Sequence, residues 1–169
     1  MTEIEFKEAS AYWEEHDRTA KAADEAYIEA SIEKFITGHN TCALATGCGD
    51  FVRCTPIEYM WKDGCFWLFS EGGLKFKALE KNSNVSLAIF DQYGGFGNLG
   101  GMQVTGVADV VDESSEVYDR MLQDKHVSRE ALRKSGHVLH LIRITPTRMD
   151  ILSSEFRKDG LDSRQHIDL

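Results

Sequence analysis

Two short turns, close together in the chain, constrain the fold more than any other feature of the sequence. They lie at residues 47–50 and 62–64 and separate three apolar segments of strand length, residues 41–46, 51–61 and 65–70. Asp63-Gly64 is a pair that favours a tight hairpin turn. Two hairpins in succession require antiparallel pairing. The sequence therefore predicts an antiparallel sheet that begins near residue 40.

The remaining pattern places helices around this sheet. Apolar residues recur with a helical period through residues 1–38, and Gly38 stands where a helix-ending glycine is expected. Further strands are predicted at 84–91, 102–111 and 137–144, with Pro146 as an interruption before a seventh segment at 148–152. Helices are predicted at 74–81 and 114–134, the second broken near His126. Six or seven hairpin-connected strands indicate a small, mainly β, antiparallel barrel.

The length and the charge limit the class of protein. A chain of 169 residues suits one domain, which we divide into a helical segment (1–38), a barrel (39–153) and a polar tail (154–169), loose or docked on a partner. A net charge of −9 argues against binding to nucleic acid or to an anionic membrane surface. No apolar run is long enough for a membrane helix, and the acidic start lacks a signal region. We expect a cytoplasmic protein.

Three candidate motifs do not predict a site. The four cysteines, Cys42, Cys48, Cys54 and Cys65, contain no C-x-x-C pair and are expected to be buried, reduced thiols. Residues 95–100 match G-x-G-x-x-G, but they precede a strand where a dinucleotide site needs a helix. His137 and His140 would point to opposite faces of a strand, so no metal site is predicted. No catalytic residue can be assigned.

An anion site has better support. Arg53 alternates with apolar residues along one strand and needs an anionic partner or an exposed edge. Lys75 begins a short helix after Gly72-Gly73, and Ser70 ends the preceding strand. Two cations, a hydroxyl and free backbone N–H groups at a helix start would form a phosphate-binding site. Solvated side chains beside a glycine turn explain the same residues equally well.

A resemblance to a known family covers this stretch. In order, the matching segments are Thr41-Cys42-Ala43-Leu44-Ala45-Thr46, Val52-Arg53-Cys54-Thr55-Pro56-Ile57, Phe66-Trp67-Leu68-Phe69-Ser70, Gly73-Leu74-Lys75-Phe76-Lys77-Ala78-Leu79, Asn82-Ser83-Asn84-Val85-Ser86-Leu87 and Gln103-Val104-Thr105-Gly106-Val107-Ala108. Together they resemble the pyridoxamine 5'-phosphate oxidase-like, FMN-binding split-barrel family. The agreement extends over residues 35–111, with a continuation to residue 152.

The resemblance implies a six-stranded antiparallel split β-barrel, and a homodimer that binds two FMN molecules in clefts between its subunits. Arg53 and Lys75 match the residues that hold the flavin phosphate. Thr55, Pro56 and Ile57 match the strand that runs along the flavin ring, and Gln103 matches a polar contact to that ring.

Two positions near the phosphate depart from the pyridoxamine phosphate oxidases. Leu74 replaces an arginine, and Ser70 lies one position from the expected threonine, where this chain has Phe69. The arginine-rich C-terminal substrate motif is also missing. The chain is therefore more similar to the general-stress and nitroimidazole-resistance-like branch, and vitamin B6 oxidation is not expected.

Two functions remain from these residues. The first is an FMN-dependent oxidoreductase that acts on an unidentified small molecule. The alternative is a non-catalytic or haem-binding split-barrel module, in which a histidine would be the axial ligand. A deazaflavin cofactor is a third option, although its acidic tail would need more cations than this segment offers.

Overall fold

The N-terminal region is helical, as predicted. In the computed structural model, which describes residues 2–169, helix α1 spans Glu3–Thr19 and helix α2 spans Glu25–Thr37. Thr2 forms a capping box with Glu5 at the start of α1. Helix α2 buries Ile28, Ile32 and Ile36 against the sheet, whereas α1 buries none of its side chains fully.

One antiparallel sheet forms the body of the protein. Its strands are β1 (Thr41–Cys48), β2 (Phe51–Glu58), β3 (Met60–Lys62), β4 (Cys65–Ser70), β5 (Asn84–Phe90), β6 (Gly100–Val111), β7 (His140–Ser153) and β8 (Arg164–Asp168). Their order across the sheet is β2-β1-β5-β6-β7-β4-β3, and β8 pairs with β7. The predicted mainly β, antiparallel split barrel with flanking helices is confirmed.

The number of strands differs from the prediction. The sheet has eight strands rather than six, partly because Tyr59 divides the predicted strand 51–61 into β2 and β3. These two strands lie at opposite ends of the sheet order, so one segment of chain forms both ends and curls the sheet round on itself. Tyr59 is buried there, and its hydroxyl donates to the carbonyl of Ile36 at 2.8 Å.

Pro146 does not interrupt β7, contrary to the prediction. The register between β6 and β7 shifts after Thr105, and this irregularity places Gly106 opposite Pro146. A bulge accommodates a residue that has no N–H to donate. The close approach requires glycine, because a Cβ at position 106 would lie 2.7 Å from the carbonyl oxygen of Thr145.

Short helices fill the connections. Helix α3 (Lys75–Leu79) follows β4, and α4 (Glu116–Asp124) and α5 (Arg129–Ser135) follow β6. The predicted break near His126 is confirmed, since this residue lies between α4 and α5 with a φ of 59°.

The tail is ordered on the body of the protein, which the polar sequence did not predict. It forms helix α6 (Glu155–Lys158) and strand β8, which pairs with residues 148–152 of β7. Phe156 and Gln165 are buried. Gln165 accepts from the N–H of Ala23 and donates to the carbonyl of Asp162, so it connects the tail to the start of α2.

Two apolar clusters form the core. The larger lies between α2 and the inner face of the sheet, and the smaller packs α4 against the other face of β4. The expectation of four buried cysteines was wrong in part: Cys42 is buried, Cys48 and Cys65 are half-buried, and Cys54 is exposed on the outer face of β2. Within residues 2–169, no helix has both the length and the apolar character that crossing a bilayer requires.

Candidate functional site

Strand β2 directs three of the predicted site residues towards the barrel interior. Directly paired residues in an antiparallel sheet share a face, and Arg53 pairs with the buried Thr46 of β1. Thr55 pairs with Leu44, which is fully buried, and Ile57 packs against the main core. Arg53 nevertheless remains exposed, because it lies near the end of this strand.

Lys75 and Ser70 meet at the loop that joins β4 to α3. The Lys75 ammonium donates to the carbonyl oxygen of Gly72 at 2.6 Å, and the Ser70 hydroxyl donates to the same oxygen at 3.0 Å. The N–H of Gly72 in turn donates to Ser70 Oγ at 3.1 Å. Both side chains are buried, with exposed fractions of 6% each. The loop needs glycine at this point, since Gly72 has a φ of 127°.

The expected contribution from backbone N–H groups is only partly present. The N–H groups of Phe76 and Lys77 donate within the turn, to the carbonyl oxygens of Gly73 and Leu74. Helix α3 has only five residues. An anion at this loop would therefore depend on side chains. Leu74, which stands where the family arginine is expected, is 57% exposed and adds no charge.

Arg53 and Lys75 form a pair of neighbouring cations without counter-ions. Burial, and secondly the charge of Arg53, lower the pKa of Lys75 from its ordinary value. Within the part of the chain that the structure describes, neither residue forms an ion pair, although seventeen other contacts of this kind occur. Two close cations that no carboxylate compensates favour the binding of an anion.

Two residues near this pair were not found from the sequence. His140 lies directly across from Ser70, its ring contacts Phe76 with centroids 5.1 Å apart, and its Nδ1 is 2.9 Å from Glu113. Thr46, the partner of Arg53, has a buried hydroxyl with no hydrogen-bond partner among residues 2–169. Both depend on strand register, which the sequence pattern does not give.

The other predicted residues lie on the opposite face of the sheet. Pro56, Ala43, Ala88 and Gln103 form one cross-strand row on the outer face. Within one subunit, Gln103 is thus three strands, or roughly 15 Å, from Pro56. The structure brings Ser70 and Lys75 together and places Arg53 near enough for its charge to act on Lys75, but it does not bring Gln103 or Pro56 to them.

The histidines differ in what they could bind. His137 lies before β7 and is exposed, so the expectation that it shares a strand with His140 was wrong. His39 contacts acceptors with both ring nitrogens, the carbonyl of Phe35 at 2.7 Å and Asp91 at 2.9 Å. His16 Nδ1 is buried without a partner among residues 2–169.

One group of residues has the spacing of a metal site. Asp17, Asp150 and His166 come within 4.8 Å of one another, but Arg148 forms ion pairs with both carboxylates.

In the glycine-rich segment 95–100, residues 95–99 form a loop and Gly100 begins β6, as predicted, and the segment provides no helix start for a dinucleotide.

Comparison with known proteins supports the fold. The sequence profile described as pyridoxamine 5'-phosphate oxidase matches residues 28–153. None of the curated protein sequences matches with significant similarity. A conserved hypothetical protein of Mycobacterium tuberculosis superposes with a TM-score of 0.63 at 24% identity, over 84% of this chain and 91% of that one.

Two further solved structures differ in what they bind. An FAD-binding protein of Mesorhizobium loti has a TM-score of 0.55 at 19% identity, over 72% of this chain and 89% of that one. The haem storage protein HutZ of Vibrio cholerae has a TM-score of 0.57 at 18% identity, over 70% of this chain and 89% of that one. At these identities the similarity establishes the fold, and the profile match over residues 28–153 shows that the chain belongs to the pyridoxamine 5'-phosphate oxidase family.

Proposed function

We propose that this protein is an FMN-dependent oxidoreductase that acts on a small molecule. The observation that carries the proposal is the pair formed by Arg53 and Lys75, two neighbouring cations without an ion pair in residues 2–169. In a chain of net charge −9, carboxylates are abundant, so their absence from this pair favours an anionic ligand. A flavin phosphate fits these donors, and the FAD-binding relative has the same fold.

The residues would act by binding and orientation. Arg53 would hold the phosphate from the strand β2 side, and Lys75 would hold it from the α3 side after giving up its bond to Gly72. Ser70 keeps its own bond to the Gly72 carbonyl, so the loop stays in place. When bound, FMN supplies the redox chemistry. The backbone of Thr55, Pro56 and Ile57 would border the flavin ring.

We also propose a homodimer with the cofactor between the subunits. Val52 and Phe90, on the outer face, are 75% and 65% exposed, and large exposed apolar side chains favour an interface. Pro56 and Gln103 share this face. A second copy would bring one subunit's Gln103 towards the other subunit's phosphate site, which a single subunit cannot do across three strands. Analytical ultracentrifugation of wild type and Val52→Asp tests this, and a monomeric wild type would contradict it.

The first experiment tests flavin binding directly. The purified protein is mixed with excess FMN and desalted, and the visible spectrum is recorded. We expect wild type to retain a flavin band and Arg53→Ala and Lys75→Ala to lose it. Lys81→Ala is the matched control, because Lys81 is an exposed lysine just after α3. Absence of flavin from wild type, or equal retention by all variants, would refute the proposal.

A haem-binding function is the alternative. It is supported by the similarity to HutZ and by His16, whose Nδ1 is buried without a partner among residues 2–169. Titration with haemin would then give a Soret band that His16→Ala shifts and His126→Ala, a change at an exposed histidine, leaves unchanged. If wild type binds FMN tightly and gives only the spectrum of free haemin, the alternative is wrong.

A further inference from the structure

A cavity of about 670 Å³ lies on the outer face of the sheet, between the sheet and helix α1. Two cross-strand rows form its floor. The first row is Ala88, Gln103 and Asp150, and the second is Phe90, Gly101, Leu152 and Arg164. Small-molecule sites in proteins have volumes of about 300–1,000 Å³, so the cavity has the size for a ligand of one to three rings.

The walls of the cavity suit a planar ring. Trp13 of α1 and Phe96 of the β5–β6 loop line it and are 45% and 78% exposed. Ala88 and Gly101 leave space above the floor between the larger side chains, and a Cβ at Gly101 would meet only atoms at ordinary contact distance, 3.8 Å or more. Aromatic rings beside such a space favour stacking of an aromatic ligand.

One end of the cavity carries positive charge. The lining includes Arg157 and Arg164, with Asp150 as its single carboxylate. Asp150 is already shared, because it accepts from Arg164 at 2.9 Å and from Arg148 at 2.8 Å. Within residues 2–169 the Arg157 guanidinium donates only to the hydroxyl of Ser163, at 3.3 Å, and it forms no ion pair. Its guanidinium is therefore available to a carboxylate.

Contacts next to this charged end hold helix α1 over the cavity. Asp17 accepts from Arg148 at 3.2 Å. The Arg164 guanidinium lies 4.7 Å from the Trp13 ring, a cation–π contact. Arg164 thus contacts both Trp13 and Asp150 at the edge of the cavity, so the aromatic wall has a fixed position next to the charged end.

The geometry points to a binding site for a planar aromatic carboxylate in the cavity under α1, with Arg157 pairing with the carboxylate and Trp13 stacking on the ring. Gln103 lies on the cavity floor and is also the residue expected to contact the flavin ring. The inference that this aromatic carboxylate is also the substrate of the enzyme rests on the proposed function. Binding itself requires no flavin.

The test uses flavin-free protein and isothermal titration calorimetry with 2-naphthoate. Wild type should bind it, and 2-naphthamide, which has the same rings without the charge, should bind about tenfold more weakly, since a charge-assisted hydrogen bond contributes this much. Arg157→Gln should weaken naphthoate to the affinity of the amide. Gly101→Val should weaken both ligands by filling the floor. Arg133→Gln, at an exposed arginine of α5, is the matched control.

Each result decides the proposal. No binding of naphthoate, equal binding of the amide, or an Arg157→Gln protein that binds as wild type does would overturn it. A repeat with FMN-saturated protein separates the two sites. Retained naphthoate binding supports a distinct substrate site, and competition would assign the cavity to the flavin instead. If the protein binds naphthoate but retains no FMN, the proposed function is refuted and the proposed cavity site stands.

Discussion

Lys75 and Ser70 donate hydrogen bonds to the same acceptor, the carbonyl oxygen of Gly72. The ammonium is thereby held in place in a buried position next to the Arg53 charge, with no carboxylate to compensate it among residues 2–169. Because the carbonyl has a second donor, Lys75 can turn towards an anion without leaving that oxygen unbonded. Under the proposed function, this contact keeps the ammonium in place for an anionic ligand, and the free protein carries the uncompensated charge.

Replacing Lys75 should therefore separate stability from binding. In Lys75→Met the uncompensated buried charge is lost and Ser70 still satisfies the Gly72 carbonyl. We expect the free energy of unfolding to rise by about 1 kcal/mol while flavin retention is lost. Urea unfolding of flavin-free protein measures the first effect, with Lys81→Met as the exposed control. A destabilised Lys75→Met protein would show that the ammonium has a structural role.

Binding of FMN should take up protons in alkaline solution. The pKa of Lys75 lies below its ordinary value of 10.5 because of burial and Arg53. An anion favours the ammonium and raises this pKa, so affinity should fall as the pH rises through the lowered pKa. Calorimetry at roughly pH 9 in two buffers of different ionisation enthalpy measures the proton uptake. This pH lies well above the pKa of the flavin phosphate, about 6, so the phosphate itself takes up no proton. Lys75→Arg, always charged, should show none, and equal uptake by both proteins would contradict the assignment.

The Thr46 hydroxyl should be dispensable for folding. It is buried and has no hydrogen-bond partner among residues 2–169, so Thr46→Val removes an unsatisfied polar group at constant shape. We expect stabilisation by about 1 kcal/mol. Thermal unfolding with and without FMN checks this. Destabilisation of the free protein would mean that the hydroxyl is satisfied in solution, for example by water.

Asp150 should stabilise the outer face of the sheet at neutral pH and lose that effect in acid. Burial alone would raise the pKa of Asp150, but hydrogen bonds and charge from Arg148 and Arg164 lower it. Because the pKa of Asp150 is lower in the folded state than in the unfolded state, its contribution to the free energy of unfolding is complete at a pH above the unfolded pKa, about 3.9. The contribution disappears as the pH falls through the folded pKa.

We therefore expect Asp150→Asn to cost about 2 kcal/mol at pH 7. Urea unfolding at pH 7 and at roughly pH 3 should show a smaller difference from wild type in acid. Asp109→Asn, which removes an exposed pair with Arg143, should cost under about 1 kcal/mol. A difference between Asp150→Asn and wild type that does not change with pH would contradict the assignment.

The bulge at Gly106 should tolerate no side chain. A Cβ there would lie 2.7 Å from Thr145 O and 3.0 Å from Ile144 Cγ2, so Gly106→Ala must move the strand backbone. We expect a loss of at least about 2 kcal/mol. Gly97→Ala is the control, because a Cβ at Gly97 would meet nothing within 4 Å. Equal unfolding midpoints for the two variants would show that the bulge adjusts easily.

Local pattern predicted most of the sheet but not its long-range register. Asp63-Gly64 and the apolar runs on both sides gave β4 within its observed bounds, and the charge of Arg53 on an otherwise apolar face indicated an anion site. The position of His140 across from Ser70 could not be predicted, because the two strands are far apart in the chain and their register depends on packing.

Two errors have a common cause. Pro146 predicted a strand break, but the register shift at Gly106 accommodates the proline within β7. No strand is predicted at Arg164–Asp168, because the segment is polar on both of its faces. In the structure it is a strand in which Gln165 and Ile167 are the buried residues. In both segments the neighbouring strand, and not the local sequence, determines the structure.

Tyr59 joins the two ends of the sheet, and this has a consequence for how ligands act on the fold. Arg53 lies on β2, on one side of that junction, whereas Ser70 ends β4 and Lys75 begins α3 on the other side. An anion held by Arg53 and Lys75 would therefore cross-link the two sides of the barrel seam. We expect bound FMN to slow amide hydrogen exchange in β2 and β4 more than in β6. The cofactor would then stabilise the closure of the barrel in addition to supplying redox chemistry.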